Sequence, residues 1–453
     1  MSALPRSVCP VCLAPVIATH ESVNGETFLV KECPEHGVFR TVVWRGTPDF
    51  HGWSRAKIPS LPKEPLTKVE KGCPNDCGLC GAHRQHTCTA LIEVTWRCDL
   101  GCPVCFASSG KQAQTDPAVE EIGFLLDRVI RISGLCNIQL SGGEPTVRDD
   151  LPALIRLARG KGFPFVQLNT NGLRLAREPG YAATLAEAGL SSVFLQFDGT
   201  SDDIYGSLRG KPLLADKIAA MEALTEVGVG VVLVPTVVPG VNEHDLGAIV
   251  RLASLHSPGV RGVHFQPVSY FGRYPDAPDD AQRITLPELM RSLEEQTGGS
   301  IRAIDFQPPG CEHSHCSFHA NYVVTESRAL KRLSAKGQCG CAPRPAEEGA
   351  DKAKAFVKRQ WAAPGTSLPM AHAMTTDVPD ELDVFIERAA THTLAISAMA
   401  FQDAWTLDLE RLKGCCIHVV SPDGRLIPFC AYNLTSMDGE SLYRGKCHGP
   451  VQS

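Results

Sequence analysis

The sequence predicts an α/β protein whose centre, residues 89–300, is a run of parallel strand–helix units with cysteine-rich modules on either side. Three observations carry this reading. Strand-like and helix-like patterns alternate about every 30 residues through that span, as βαβ units do. Polar residues follow the strand-like runs, as in Asn169-Thr170-Asn171-Gly172 and Asp198-Gly199, where barrel sites form. Finally, the 19 cysteines fall in groups with metal-ligand spacing.

The first module, residues 1–60, carries Cys9-Pro10-Val11-Cys12 and Cys33-Pro34-Glu35-His36, joined by a hairpin expected at Asn24-Gly25. Three cysteines and a histidine so spaced suit one tetrahedral ion, zinc or rubredoxin-like iron. Residues 61–88 form a glycine-rich segment after Pro59–Pro65, with Cys73-x-x-x-Cys77-x-x-Cys80 and Cys88 eight residues on. Cys88 can complete four-thiolate ligation of an auxiliary [4Fe–4S] cluster; an open-iron cluster and a zinc site are the alternatives. His83 and His86 lie between.

The same spacing recurs at Cys98-x-x-x-Cys102-x-x-Cys105, between a strand-like run (Thr89–Trp96) and a helical pattern from Asp116, the expected N-cap, to about Ile132. Three thiolates on one loop hold three irons of a [4Fe–4S] cube and leave the fourth open to a ligand. The next strand, Asn137–Leu140, runs into Ser141-Gly142-Gly143-Glu144-Pro145. The two glycines permit close backbone approach to a ligand, and Glu144 offers a carboxylate to an ammonium group. Spacing alone leaves a structural zinc or relay-cluster loop open; the Gly-Gly-Glu weighs against it. Further strands are expected at Phe163–Leu168, Ser192–Phe197, Gly230–Val238 and Gly262–Val268, with helices near 176–189, 212–227, 243–256 and 286–297.

Residues 301–453 hold Cys311 and Cys316, then Cys339, Cys341, Cys415, Cys416 and Cys430. Ser421-Pro422-Asp423-Gly424 suits a type I turn with a G1 bulge, which opposes Cys416 to Cys430; a four-residue loop would oppose Cys415 instead. Cys416 and Cys430, with Cys311 and Cys316, are therefore read as a second auxiliary cluster, against a zinc site using His313 or His315. Cys136 and Cys447 have no evident partner.

The three-cysteine loop and the Gly-Gly-Glu together resemble the radical SAM superfamily, although Val104 stands where that family often has an aromatic. The resemblance implies a partial (β/α)6 TIM-like barrel. It implies that Cys98, Cys102 and Cys105 hold a [4Fe–4S] cluster whose open iron chelates S-adenosylmethionine, and that Gly142, Gly143 and Glu144 hold its amino group. Asn171 and Asp198 become cofactor-site candidates because the family uses those strand ends; turn or cap chemistry is the competing account. The N-terminal knuckles, the doubled triplet and the tail Pro422-Asp423-Gly424-Arg425-Leu426-Ile427-Pro428-Phe429-Cys430 resemble the group of archaeal pterin methylases and tetraether lipid synthases and their bacterial relatives. That resemblance implies alkylation or coupling of unactivated carbons of a small molecule or lipid, with a ferredoxin or flavodoxin as electron donor. A peptide maturase and a non-catalytic iron–sulfur scaffold are the other two readings.

Composition sets the limits. With 44 Lys+Arg against 50 Asp+Glu and 6% aromatics, the chain shows no nucleic-acid face. The longest apolar run, Val227–Val241, contains two prolines and is too short to span a bilayer. With no signal-like N-terminus, a reduced, cytoplasmic protein is expected.

Overall fold

The computed structural model describes residues 6–62, 65–110, 115–333, 343–364 and 381–446; Cys339, Cys341 and Cys447 lie outside them. Residues 6–45 form an antiparallel sheet of β1 (Arg6–Val8), β2 (Pro15–Val23), β3 (Glu26–Cys33) and β4 (Gly37–Arg45), with the expected turn at Asn24-Gly25, both at positive φ. The ribbon is keyed to the far end of the chain. The buried Lys31 Nζ donates to Ser7 Oγ (3.1 Å) and Ala404 O (2.7 Å), and Ser7 Oγ donates to Leu407 O (2.5 Å).

A short β5 (Lys57–Ile58) precedes six parallel strands: β6 (Thr89–Thr95), β7 (Asn137–Gly142), β8 (Val166–Thr170), β9 (Ser192–Gln196), β10 (Gly230–Val234) and, after β11 (Thr236–Val237), β12 (Val260–Pro267). They pair in that order, as in a partial (β/α)6 barrel. Between and after them run α1 (Val119–Ser133), α2 (Leu151–Gly160), α3 (Leu173–Arg177), α4 (Tyr181–Glu187), α5 (Asp202–Arg209), α6 (Leu214–Glu226), α7 (Leu246–Leu255) and α8 (Leu286–Gln296).

Alternation along the strands explains the architecture. Ile138, Leu140, Val166, Leu168, Val193, Leu195, Val263 and Phe265 join the main core under the helices. Their neighbours Gln139, Ser141, Gln167, Asn169, Gln196, His264 and Gln266 line an interior cavity instead. Each buried branched side chain contributes about 1.5–3 kcal/mol, so a one-residue slip in register would exchange the two faces at prohibitive cost.

The C-terminal third joins both edges of this sheet. Here β13 (Ser317–Val324), β14 (Leu330–Arg332), β15 (Arg344–Pro345), β16 (Thr393–Met399), β17 (Ile417–Val420) and β18 (Leu426–Pro428) follow one another, with α9 (Ala346–Trp361), α10 (Glu381–Thr391), α11 (Leu409–Lys413) and α12 (Phe429–Tyr432). β16 lies parallel to β12, and β13 and β14 extend that edge antiparallel. β17 lies parallel to β6 at the other edge, followed by β18. The β17–β18 register, His418 opposite Pro428, is the one a three-residue loop gives, with Gly424 at φ 80°. Pairing nonetheless ends at Pro428, because α12 begins at Phe429 and carries Cys430 out of the sheet.

Two expectations about local structure change. The N-cap of α1 is Ala118, its N–H held by Glu121, because Asp116 is engaged by Thr95 and Arg97 at the head of the cysteine loop. The helix α5 was not expected; it supplies Arg209.

Candidate active site

Cys98, Cys102 and Cys105 sit after β6 at one end of a cavity of about 580 Å³ that also touches Gly142, Gly143, Glu144 and Asn171. Backbone pairing fixes the loop. Cys105 N donates to Arg273 O (2.8 Å), and Arg273 N returns a bond to Cys105 O (3.0 Å). The Arg273 guanidinium donates to Cys102 O from Nε (3.0 Å) and Nη2 (2.9 Å), and to Ser109 O from Nη1 (3.0 Å). No motif pointed to this arginine, which lies far along the chain and acts on carbonyls. The three thiols are free. Burial pushes the Cys98 thiol up to about 12, so without a bound cation it stays protonated. Three soft donors on one loop at a cavity wall fit a three-thiolate iron–sulfur cluster.

The Gly-Gly-Glu segment also packs tightly against the neighbouring strand. A Cβ on Gly142 would stand 2.1 Å from Thr95 O, and one on Gly143 would stand 2.1 Å from Arg97 O. The glycines thus let the end of β7 close on the end of β6, which seats the cysteine loop. Glu144 is buried, and its carboxylate accepts from Thr146 N (3.0 Å), Thr146 Oγ1 (2.7 Å), Thr170 Oγ1 (2.6 Å) and Asn171 N (2.6 Å). Three of these bonds fall on Oε1 and one on Oε2, and burial raises its pKa.

Asn171 lines the cavity and reaches toward the cysteine loop, with Nδ2 donating to Asp99 Oδ1 (2.7 Å). Asp198 does not line it. This carboxylate is fully buried in a two-bond ion pair with Arg209 (both 2.7 Å) and accepts from Thr236 N (3.2 Å). Arg209 takes the cavity position instead.

The auxiliary cysteines regroup. Cys88, Cys311 and Cys416 bring their thiols within 4.8 Å of one another, with 3.5 Å between Cys88 and Cys416. All three are buried on the wall of the same cavity that reaches Cys98. Cys88 therefore does not complete the Cys73, Cys77 and Cys80 set. The reason is β17: pairing with β6 places Cys416 O against the N–H of Cys88 (2.9 Å). Nor do Cys316 and Cys430 join Cys311 and Cys416. Cys316 Sγ accepts from Arg411 (3.5 Å) and Cys430 Sγ from Gln402 N (3.3 Å).

Cys73, Cys77 and Cys80 share a smaller recess with His83, Leu412, Lys413 and Pro428. Asp76 Oδ2 accepts from the N–H groups of Glu70, Lys71 and Gly72 (2.6–2.7 Å), and Tyr443 Oη accepts from Cys77 N (2.9 Å). In the ribbon, the ligand atoms of Cys9, Cys12, Cys33 and His36 all lie within 4.8 Å, the spacing of a mononuclear site. The His36 ring lowers the Cys33 thiol to about 6.

The opposite wall of the cavity is amide and aromatic. Gln139 donates to Gln167 (3.0 Å), while Asn169 Oδ1 and Asn321 Oδ1 have no hydrogen-bond partner. Phe194 packs against His264 (5.6 Å, 28°) and against Trp361 of α9 (4.8 Å). The period-two alternation of amides along β7 and β8 was the sequence signal for this wall; nothing in the sequence marked Trp361.

A three-cysteine loop after the first strand of a partial barrel, closed by a Gly-Gly-Glu turn over a deep cavity, defines a radical SAM enzyme. Residues 92–253 match the radical SAM superfamily, and residues 1–45 match the HMPTM N-terminal zinc ribbon domain. The 7,8-dihydro-6-hydroxymethylpterin dimethyltransferase of Methanocaldococcus jannaschii is 36% identical over 94% of this chain and 92% of its own length. The chain belongs to the radical SAM family of that methyltransferase. The GTP 3',8-cyclase of Petrotoga mobilis is 28% identical over 49% of this chain and 70% of its own. Among solved structures, Streptococcus suis SuiB bound to S-adenosylmethionine superposes on 48% of the chain at 16% identity, TM-score 0.39. As a member of this family the enzyme uses a [4Fe–4S] cluster and S-adenosylmethionine. Among the described residues, no helix is long and apolar enough to cross a membrane.

Proposed function

We propose that this enzyme alkylates an unactivated carbon of a small, neutral heterocycle, the pterin class named for its methanogen relative. The observation that carries the proposal is the single cavity between Cys98–Cys105 and the Cys88, Cys311, Cys416 group. Its volume, about 580 Å³, suits a small ligand beside a cofactor. Its amide wall, with Gln139, Gln167, Asn169 and Asn321, suits a polar ring edge, and the Phe194, His264 and Trp361 corner suits a flat π-face. A lipid chain would offer those amides no partner, at a cost of roughly 1–3 kcal/mol for each left unpaired.

In this reading Cys98, Cys102 and Cys105 hold the reactive cluster, and the Gly142–Glu144 turn and Asn171 seat the S-adenosylmethionine. Once bound, cluster and cofactor supply a 5'-deoxyadenosyl radical. The protein positions the substrate carbon against it and excludes water: α9 covers the cavity with Phe356 and Trp361, and Phe271, Phe401 and Phe429 close the side nearest Cys105. Cys73, Cys77 and Cys80 form one auxiliary iron–sulfur site and Cys88, Cys311 and Cys416 a second. The ribbon holds a structural ion. The electron donor is a ferredoxin or flavodoxin in the cytoplasm.

The test is anaerobic reconstitution with iron and sulfide, then dithionite and S-adenosylmethionine, with and without 7,8-dihydro-6-hydroxymethylpterin. The expected result is 5'-deoxyadenosine whose formation the pterin accelerates, together with a pterin product heavier by one or two methyl groups. Deoxyadenosine formation indifferent to the pterin refutes the substrate class. No deoxyadenosine from a fully loaded, reducible protein refutes the assignment of the reactive loop.

A further inference from the structure

With Cys88 drawn away by β17, the Cys73, Cys77 and Cys80 set is one protein ligand short of closure. Four features bear on what completes it. First, His83 shares the recess with the three thiols, and Leu412, Lys413 and Pro428 wall it from the C-terminal part of the chain. Second, one turn fixes the backbone: His83 N donates to Cys80 O (3.0 Å), so the ring follows the third cysteine at a constant offset. Third, the ring is buried and already oriented, with Nε2 2.9 Å from Cys415 O. A carbonyl accepts only, so Nε2 carries the proton and Nδ1 has a free lone pair. This is the arrangement that metal-ligating histidines adopt, one nitrogen on the metal and the other donating to a backbone oxygen. Fourth, His418 lies edge-on to His83 at 5.0 Å, is fully buried, and has no hydrogen-bond partner at either ring nitrogen. An orphaned buried imidazole is costly, a penalty that a sulfide of a neighbouring cluster would relieve.

We propose that His83, through Nδ1, is the fourth ligand of the auxiliary iron–sulfur cluster held by Cys73, Cys77 and Cys80. The inference rests on the reading of that triplet as a cluster site. A closed Cys3His cluster offers no open iron, so it serves electron transfer rather than substrate binding. Neutral imidazole in place of a thiolate removes one negative charge and raises the reduction potential relative to an all-cysteine cluster. The recess lies apart from the main cavity and shares no lining residue with it, consistent with a relay role. His86 is not the ligand: unlike His83 it does not line the recess, and its Nε2 is paired with Ser60 Oγ (2.7 Å).

The experiment uses the full chain carrying Cys98→Ala, Cys102→Ala and Cys105→Ala, so that the reactive cluster contributes no signal. Reconstituted protein with ¹⁴N- or ¹⁵N-histidine is reduced and examined by pulsed EPR, alongside iron and sulfide counts. The expected result is a directly bonded histidine nitrogen coupling that changes with the isotope. His83→Cys should keep the iron, lose the coupling and shift the potential negative; His418→Phe should keep the coupling. Absence of any histidine coupling overturns the inference, as does a coupling that survives His83→Cys and vanishes in His418→Phe. Adding Cys73→Ala, Cys77→Ala and Cys80→Ala removes about four irons if the triplet holds a cluster. Unchanged iron there overturns the reading of the triplet itself, whereas lost iron without histidine coupling overturns only the assignment of His83.

Discussion

Arg273→Met tests whether the reactive loop is held from outside. The side chain gives Cys102 O two hydrogen bonds and Ser109 O a third, all of 3.0 Å or less. Hydrogen bonds involving a charged group contribute about 1.5–3 kcal/mol each. Arg273 is half-buried, so water replaces part of that, and the three together should be worth about 2–4 kcal/mol to the loop conformation. The barrel core does not depend on them, so the loss falls on loop order. A penalty of about 2 kcal/mol corresponds to roughly thirtyfold. The assay is anaerobic: iron and sulfide per chain after reconstitution, then initial 5'-deoxyadenosine formation. We expect cleavage to fall by at least tenfold, with the ribbon ion retained. Arg273→Lys should recover little, because one ammonium cannot span two carbonyls with a planar fork. Wild-type iron content and cleavage rate in Arg273→Met would refute the reasoning.

Other outcomes follow from the same geometry. Gly143→Ala places a methyl 2.1 Å from Arg97 O and 3.0 Å from Trp96 O, and backbone cannot yield as a side chain can; cleavage should be lost while circular dichroism stays native. Cys88→Ala and Cys311→Ala should each remove the same iron, the double variant no more, and Cys77→Ala a further increment; a larger loss in the Cys88, Cys311 pair would separate them. The ribbon contact should strengthen as pH rises. Burial lowers the Lys31 ammonium to about 7 from 10.5. Below 7 both folded and unfolded states carry the charge, and the folded state bears its full desolvation cost. Between 7 and 10.5 only the unfolded state stays protonated, so stability rises with pH. Hydrogen exchange of Glu26–Cys33 in the zinc-loaded protein should slow from pH 7 to 9 after correction for intrinsic rates, and Lys31→Met should flatten that trend.

The barrel was legible because periodicity in Ile138 to Ser141 or Val166 to Asn169 reports local burial, and six such runs permit few topologies. The ribbon was legible because its ligands and its Asn24-Gly25 turn are local. The grouping of distant cysteines was not. Cys88 follows Cys80 so closely that spacing alone pairs them, yet a strand that begins at Ile417 decides its neighbours. Glu144 was legible as a special position but its partners were not, since Thr170 and Asn171 meet it only when β7 and β8 align. Arg209 and Arg273 act through carboxylate and carbonyl oxygens across the fold, and such contacts leave no pattern in a chain.

The two edges of the barrel sheet are flanked by strands made after it, β16 and β17. This sets an order of assembly on the ribosome. Cys98 to Cys105 emerge together and can take up iron while the nascent chain is still short. The Cys88 site spans 328 residues to Cys416 and does not exist until that distant cysteine has been made. Loop closure over such a distance is slow, so the second site reports completion of the fold. A truncated or stalled chain could carry a reactive loop, but it would have neither the far wall of the cavity nor the thiols that face it.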